Sequence, residues 1–144
     1  MKILTSIFLC FFVFPVVWLE NIGVAKVEAA RAHKLILVNF SGSDWCGPCI
    51  RLHKEVFESA DFQVYAADHL ILVRADFPRQ KKNQLQSDQI TLNERLAEQY
   101  DPEGKFPYTL LIDERGKIVK TWDGFQGESA GEFVAELSRV SHGK

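Results

Sequence analysis

Two short stretches constrain this chain more than any others: LILVNF, Leu35 to Phe40, and LILVRADF, Leu70 to Phe77. Both are almost continuously apolar and rich in branched side chains. A strand with one wet face alternates apolar and polar residues, so unbroken runs call for strands covered on both faces. The neighbouring residues supply the cover. CIRLHKEVFES places Ile50, Leu52, Val56 and Phe57 at helical spacing, and DFQVYAADH reads as a further helical stretch. LNERLAEQYD carries Leu92, Leu96 and Tyr100 at i, i+4 and i+8. YTLLID (Tyr108 to Asp113) and IVKTWDG, joined by the turn ERGK, form a hairpin. Ser129 and Glu132 make a capping box ahead of the closing helix, FVAELSRV. A weakly helical segment before the first run puts Ile22, Ala25, Ala29 and Ala32 on one face. The polar stretch Pro78 to Thr91 has no steady period and reads as a long loop or insertion. Strands alternating with helices and ending in a hairpin imply an α/β fold, a mixed central β-sheet flanked by helices.

A length of 144 residues suits one domain with its own core. The net charge is −2 and no basic block occurs, so nucleic-acid binding has no electrostatic support. The apolar content is unevenly placed. After Lys2, the residues from Ile3 to Leu19 carry no charge, which is the pattern of an export signal. Gly23-Val24-Ala25 and Val27-Glu28-Ala29 offer small residues for cleavage. The same run, at the lower limit of a spanning helix, also suits a retained N-terminal anchor; Pro15 counts against a stable span. Either way, residues 1–25 are the signal peptide or anchor, residues 26–144 form the domain, and the domain is periplasmic or otherwise exported. Cys10 lies within the run and is read as apolar filler. The exported part then holds one cysteine pair, too few for a disulfide scaffold.

That pair is Cys46-Gly47-Pro48-Cys49, between the first buried run and a helical pattern. A thiolate, not a thiol, attacks a disulfide sulfur, so the attacking cysteine needs a lowered pKa. Cys46 falls where a helix begins, facing unpaired N–H groups and the positive end of the helix dipole. Cys49, three residues on, shares its helix face and lies within bridging reach. Pro48 sits in the first turn, where its missing N–H costs little, and Gly47 leaves room for a substrate chain. On this reading Cys46 is the nucleophile and Cys49 resolves the mixed disulfide. A purely structural bridge would close too small a loop to stabilise much. A second reading, a copper or zinc chaperone, would use Cys46, Cys49 and His53, but no fourth ligand is evident and His53 is expected to face solvent. Ile50 after Cys49 excludes a c-type haem. No cofactor or resident metal is called for. Arg79, Lys81 and Lys82 either dock an acidic partner or belong to a solvated loop.

DWCGPC after a buried strand, KFPYTLLID, the DERGKIV hairpin and a closing helix, in that order, resemble the thioredoxin superfamily over residues 30 to 140. Within it the chain is similar to exported thioredoxin-like disulfide reductases and isomerases. The resemblance implies a thioredoxin fold with a polar insertion around residues 78–91. It implies thiol–disulfide oxidoreductase activity on disulfides of exported proteins by a monomer. It also implies a potential on the reducing side, near the roughly −270 mV of thioredoxin. An exported reductase must be re-reduced, which implies a membrane thiol-reducing partner. By the same resemblance Pro107 is cis and lies against the cysteines, Phe106 offers backbone groups to substrate, and Trp45 flanks the site. One position departs from the pattern. The superfamily places a buried aspartate under the cysteines; Asn39 is the nearest equivalent here, and an amide cannot take a proton as a carboxylate can. Resolution of the mixed disulfide is therefore expected to be slow at neutral pH.

Overall fold

The two apolar runs lie side by side in the middle of a five-stranded sheet. The computed structural model describes residues 15–142. In chain order the elements are β1 (Trp18–Leu19), α1 (Ile22–Ala32), β2 (Leu35–Ser41), α2 (Gly47–Leu52), α3 (Ala60–His69), β3 (Leu70–Asp76), α4 (Ser87–Tyr100), β4 (Tyr108–Ile112), β5 (Ile118–Asp123) and α5 (Ala130–His142). The sheet order is β1-β3-β2-β4-β5. β2 runs parallel to β3 and antiparallel to β4, so the sheet is mixed.

Alternation along the central strands sorts the core into two layers. Ile36, Val38 and Phe40 of β2 pack with Val73, Ala75, Leu96 and Ala29 on the face covered by α1 and α4. Leu37 points the other way, into Leu52, Val56, Phe57, Phe62 and Leu137 beneath α2, α3 and α5. Completely buried aromatics such as Phe57 and Phe62 each contribute roughly 1.5–3 kcal/mol of burial free energy. The period of two then places Asn39 on the face of Leu37. The same rule puts Arg74 of β3 with Leu72, and Thr109 of β4 with Leu111. Pairing aligns Arg74, Asn39 and Thr109 in one row across three strands. A polar row thus crosses an otherwise apolar face.

The capping box forms: Glu132 N–H donates to Ser129 Oγ at 3.2 Å and Ser129 N–H to Glu132 Oε2 at 2.8 Å. Other boundaries move. α4 begins at Ser87 and shortens the loop of the polar insertion. Its inward stripe is Asn93, Leu96 and Tyr100, while Leu92 is exposed. Asn93 can face inward because its Nδ2 donates to the Asp76 carbonyl at 2.9 Å. The helix after the cysteines is interrupted by a π turn over His53–Phe57, closed by Glu58 N–H on the His53 carbonyl at 2.9 Å. That change of winding leaves Ile50 exposed while Leu52, Val56 and Phe57 are buried.

The folded unit reaches further towards the N-terminus than residue 26. Trp18 and Leu19 pair with Leu72 and Val73 as a parallel edge strand. Trp18 packs at 5.0 Å from the Phe57 ring. Asn21 caps α1 by accepting the N–H groups of Gly23 and Val24, and Ala25 and Ala29 are buried. Both small-residue cleavage motifs therefore lie inside a packed helix. Cys10 and most of the apolar run fall outside the described residues. Among the described residues, no helix is long and apolar enough to cross a membrane.

Candidate redox site

β2 ends at Ser41, and the chain turns through Gly42 before α2 begins. The Trp45 and Cys46 N–H groups both donate to the Gly42 carbonyl, at 3.2 and 2.9 Å. A Cβ on Gly42 would lie 2.3 Å from the Trp45 indole, so only glycine lets the ring lie over this turn. Cys46 is the N-cap of α2, in extended geometry, with Pro48 in the first turn. Its Sγ accepts from the Cys49 N–H at 3.2 Å, so the sulfur satisfies one of the helix's orphan donors. The two cysteines form a disulfide with Cα atoms 5.2 Å apart. Both are buried, at 5% and 3% exposure. Gly47 is open: a Cβ there would meet nothing within 4 Å.

Trp45, Phe106 and Phe77 form an aromatic wall. The Trp45 and Phe106 rings meet edge-on at 5.4 Å, and Phe106 meets Phe77 at 5.5 Å. Trp45 Nε1–H donates to the Phe77 carbonyl at 2.7 Å. The Phe106–Pro107 bond is cis. The turn before it is held by Asp101, whose Oδ1 accepts the Lys105 N–H at 2.9 Å; burial raises the pKa of that carboxyl. Behind the wall lies a mostly apolar cavity of about 330 Å³, bounded also by Leu85 and Ile90 from the insertion and α4.

The insertion is bolted to this site. Asp44, two residues before Cys46, accepts from Arg79 N–H at 2.9 Å, Gln80 N–H at 3.0 Å and Asn83 Nδ2 at 2.9 Å. These bonds, led by the one from Arg79, hold the Asp44 carboxyl below its ordinary pKa. Arg79 does not simply dangle in solvent. Its guanidinium stacks 3.5 Å from the Trp45 ring centre. Lys81 and Lys82 are exposed.

On the opposite side of α2, Cys49 borders a cleft of about 300 Å³ shared with Ser41, His53, Glu58 and Arg74. His53 is not a free surface residue. Its Nδ1 meets Arg74 Nη2, and its Nε2 lies 3.2 Å from Glu58 Oε1. Burial, then the Arg74 charge, lowers its pKa against the pull of Glu58. Arg can only donate, so neutral His53 accepts at Nδ1 and carries its proton at Nε2, towards Glu58. With both ring nitrogens engaged, His53 does not fit a ligand set with the cysteines. Among the described residues, no group of three His, Cys, Asp or Glu side chains is placed to hold a metal ion.

Asn39, buried at 2% exposure, donates through Nδ2 to Thr109 Oγ1 at 3.0 Å. It lies on the α2 face, where the superfamily's acid was expected. Sequence reasoning missed Arg74, Asp44 and Gly42. Arg74 was hidden as one polar residue inside a strand run. Asp44 and Gly42 matter through contacts that carry no local period.

The thioredoxin-like domain family matches residues 22–141. The chain is 33% identical over 118 residues to the disulfide bond reductase DsbH of Chlamydia pneumoniae, covering 82% of this chain and 69% of that protein. It is also 33% identical over 125 residues to the thioredoxin-related protein DsbJ of Chlamydia pneumoniae, covering 87% of this chain but 35% of that protein. A solved DsbH oxidoreductase superposes with a TM-score of 0.81 at 28% identity, covering 91% of this chain and 88% of that one. A disulfide-forming Cys-Gly-Pro-Cys at a helix start, a cis proline after the aromatic wall and these likenesses agree: the chain belongs to the thioredoxin-like domain family and is a thiol–disulfide oxidoreductase.

Proposed function

We propose that this oxidoreductase works outside the cytoplasm as a monomer, reducing or isomerising disulfides in exported proteins. The observation that carries the reading is the placement of Cys46 Sγ as the N-cap of α2, receiving the Cys49 N–H. A thiolate at that atom gains a hydrogen bond and the positive end of the helix, which lowers its pKa. Cys46 attacks one sulfur of the substrate disulfide, forming a mixed disulfide and releasing the other sulfur as a thiolate that takes up a proton. Cys49 then loses its proton and attacks Cys46 Sγ, the substrate leaves as its second thiol, and the Cys46–Cys49 bond closes. Two electrons and two protons pass from dithiol to substrate. Trp45, Phe106 and Pro107 are the substrate-contacting surface, and the open space over Gly47 admits a polypeptide.

The name of the Chlamydia pneumoniae relative, a disulfide bond reductase, supports the reducing direction. The apolar N-terminal run supports export, as a cleaved signal or as an anchor, with its boundary ahead of Val16 because β1 follows directly. Electrons would come from a membrane-embedded thiol-reducing partner. The deciding experiment equilibrates the dithiol with glutathione. A potential near that of thioredoxin, about −270 mV, fits the reading, and one near the −120 mV of a strong oxidant reverses it. In parallel, Cys46→Ser is expected to abolish reduction of a protein disulfide, and Cys49→Ser to accumulate mixed disulfides through Cys46.

A further inference from the structure

We infer that Arg74 is a positioning residue for the resolving step: its fixed positive charge favours the Cys49 thiolate, doing by charge what a buried carboxylate would do by taking a proton. The inference rests on Cys46 as nucleophile and Cys49 as resolving thiol.

Arg74 is in register with Asn39 on the face that α2 covers, and it borders the same cleft as Cys49. Its guanidinium is held on two sides. It stacks 4.6 Å from the Trp18 ring centre, and Nη2 bonds to His53 Nδ1. Nε is buried without a hydrogen-bond partner. Burial lowers the Arg74 pKa, yet guanidinium stays protonated at any physiological pH.

Two carboxylates, Asp76 and then Glu58, act on the Arg74 charge. From the helical side of the cleft come His53, Lys54 and Glu58; Asp76, two residues along β3 from Arg74, lies outside its lining. His53 is neutral. Glu58 is engaged with His53 and lies mostly in solvent, where its field is screened. Asp76 accepts from Ser43 N–H at 2.9 Å and from the Ser43 hydroxyl. Lys54 is exposed and adds the same sign as Arg74. Arg74 is the half-buried cation, and an opposite charge near a thiol favours its ionised form. The Cys49 proton leaves to water in the cleft. The thiolate then attacks Cys46 Sγ, and the substrate thiolate departs and is protonated.

The test follows Cys49 ionisation in the Cys46→Ser protein by thiolate absorbance and by the pH profile of alkylation. Arg74→Met and Arg74→Gln should each raise the Cys49 pKa by about one unit, slowing alkylation at neutral pH about tenfold. Arg74→Lys should restore most of it. In the protein that keeps both Cys46 and Cys49, Arg74→Gln should slow decay of a preformed mixed disulfide at neutral pH, with the rate recovering as pH rises. The Gln variant retains a planar group for Trp18 should the Met variant not fold. An unchanged profile in the folded variants overturns the inference, as does a shift that Arg74→Lys leaves uncorrected, since shape would then matter rather than charge. Failure of the underlying reading looks different: Cys49, not Cys46, would be alkylated first in the reduced wild-type protein.

Discussion

The Asn39 side chain donates to Thr109 Oγ1 at 3.0 Å across β2 and β4, while its neighbour in β3 is Arg74. The residue beneath α2 is thus tied by a neutral bond beside a cation. A carboxylate placed there would meet both. Thr109 could still serve it, because a hydroxyl can donate as well as accept. Asn39→Asp should therefore raise the Cys49 pKa in the Cys46→Ser protein, since the new negative charge opposes a thiolate and offsets Arg74. It should also cost stability, because a carboxyl replaces an amide in a buried row. The measurement is the pH profile of Cys49 alkylation beside a denaturant melt. A lowered Cys49 pKa would mean that Asn39 and Arg74 do not act on the same sulfur.

Asp44 links the insertion to the nucleophile, and its lowered pKa has a consequence for pH. A carboxyl whose folded pKa is depressed contributes stability above its unfolded value, and that contribution is lost as pH falls through the folded value. The Asp44 clamp should thus be intact at neutral pH and released only below the ordinary carboxylate range, under about pH 4. Amide exchange at Arg79 and Gln80, whose N–H groups it holds, reports this directly. Asp44→Ala should expose both amides at neutral pH and alter Trp45 fluorescence, because Arg79 stacks on that ring. Protection that survives the substitution would assign the loop's order to the Trp45–Phe77 bond instead.

How much of this was legible depends on the range of the forces involved. Leu35–Phe40 and Leu70–Phe77 could be read because burial on both faces leaves an unbroken apolar run. The Cys46 helix start and the Ser129–Glu132 cap could be read because capping acts within one turn. β1 could not: two residues have no periodicity, and Trp18 and Leu19 become a strand only because the edge of β3 offers partners. The start of α4 was obscured because its inward residue is Asn93, a polar side chain satisfied by a backbone carbonyl on another element. Arg74 passed unremarked within a strand run. Its meaning comes from residues far away in sequence, namely Trp18, His53 and Cys49.

The segment before residue 26 packs into the domain through its edge strand. Trp18 lies between Arg74, at 4.6 Å, and the Phe57 ring, at 5.0 Å, with Phe62 stacked at 6.5 Å. Val16 N–H donates to Gln63 Oε1 at 3.0 Å, tying the same segment to α3. A chain beginning at residue 26 would lose these contacts, the Asn21 cap and the first turn of α1. It should melt at a clearly lower temperature than a chain beginning at residue 15. Trp18→Ala alone should cost on the order of 2 kcal/mol, below the ~3–5 kcal/mol of a fully buried aromatic because Trp18 is partly exposed. Since Trp18 also packs on Arg74, the substitution should weaken Cys49 ionisation as well as the fold. Thermal unfolding of the two truncated chains, with Cys49 alkylation of Trp18→Ala in the Cys46→Ser protein, tests both. Equal melting temperatures would show that β1 adds nothing to the domain. Loss of stability with an unchanged Cys49 profile would separate the edge strand from the chemistry.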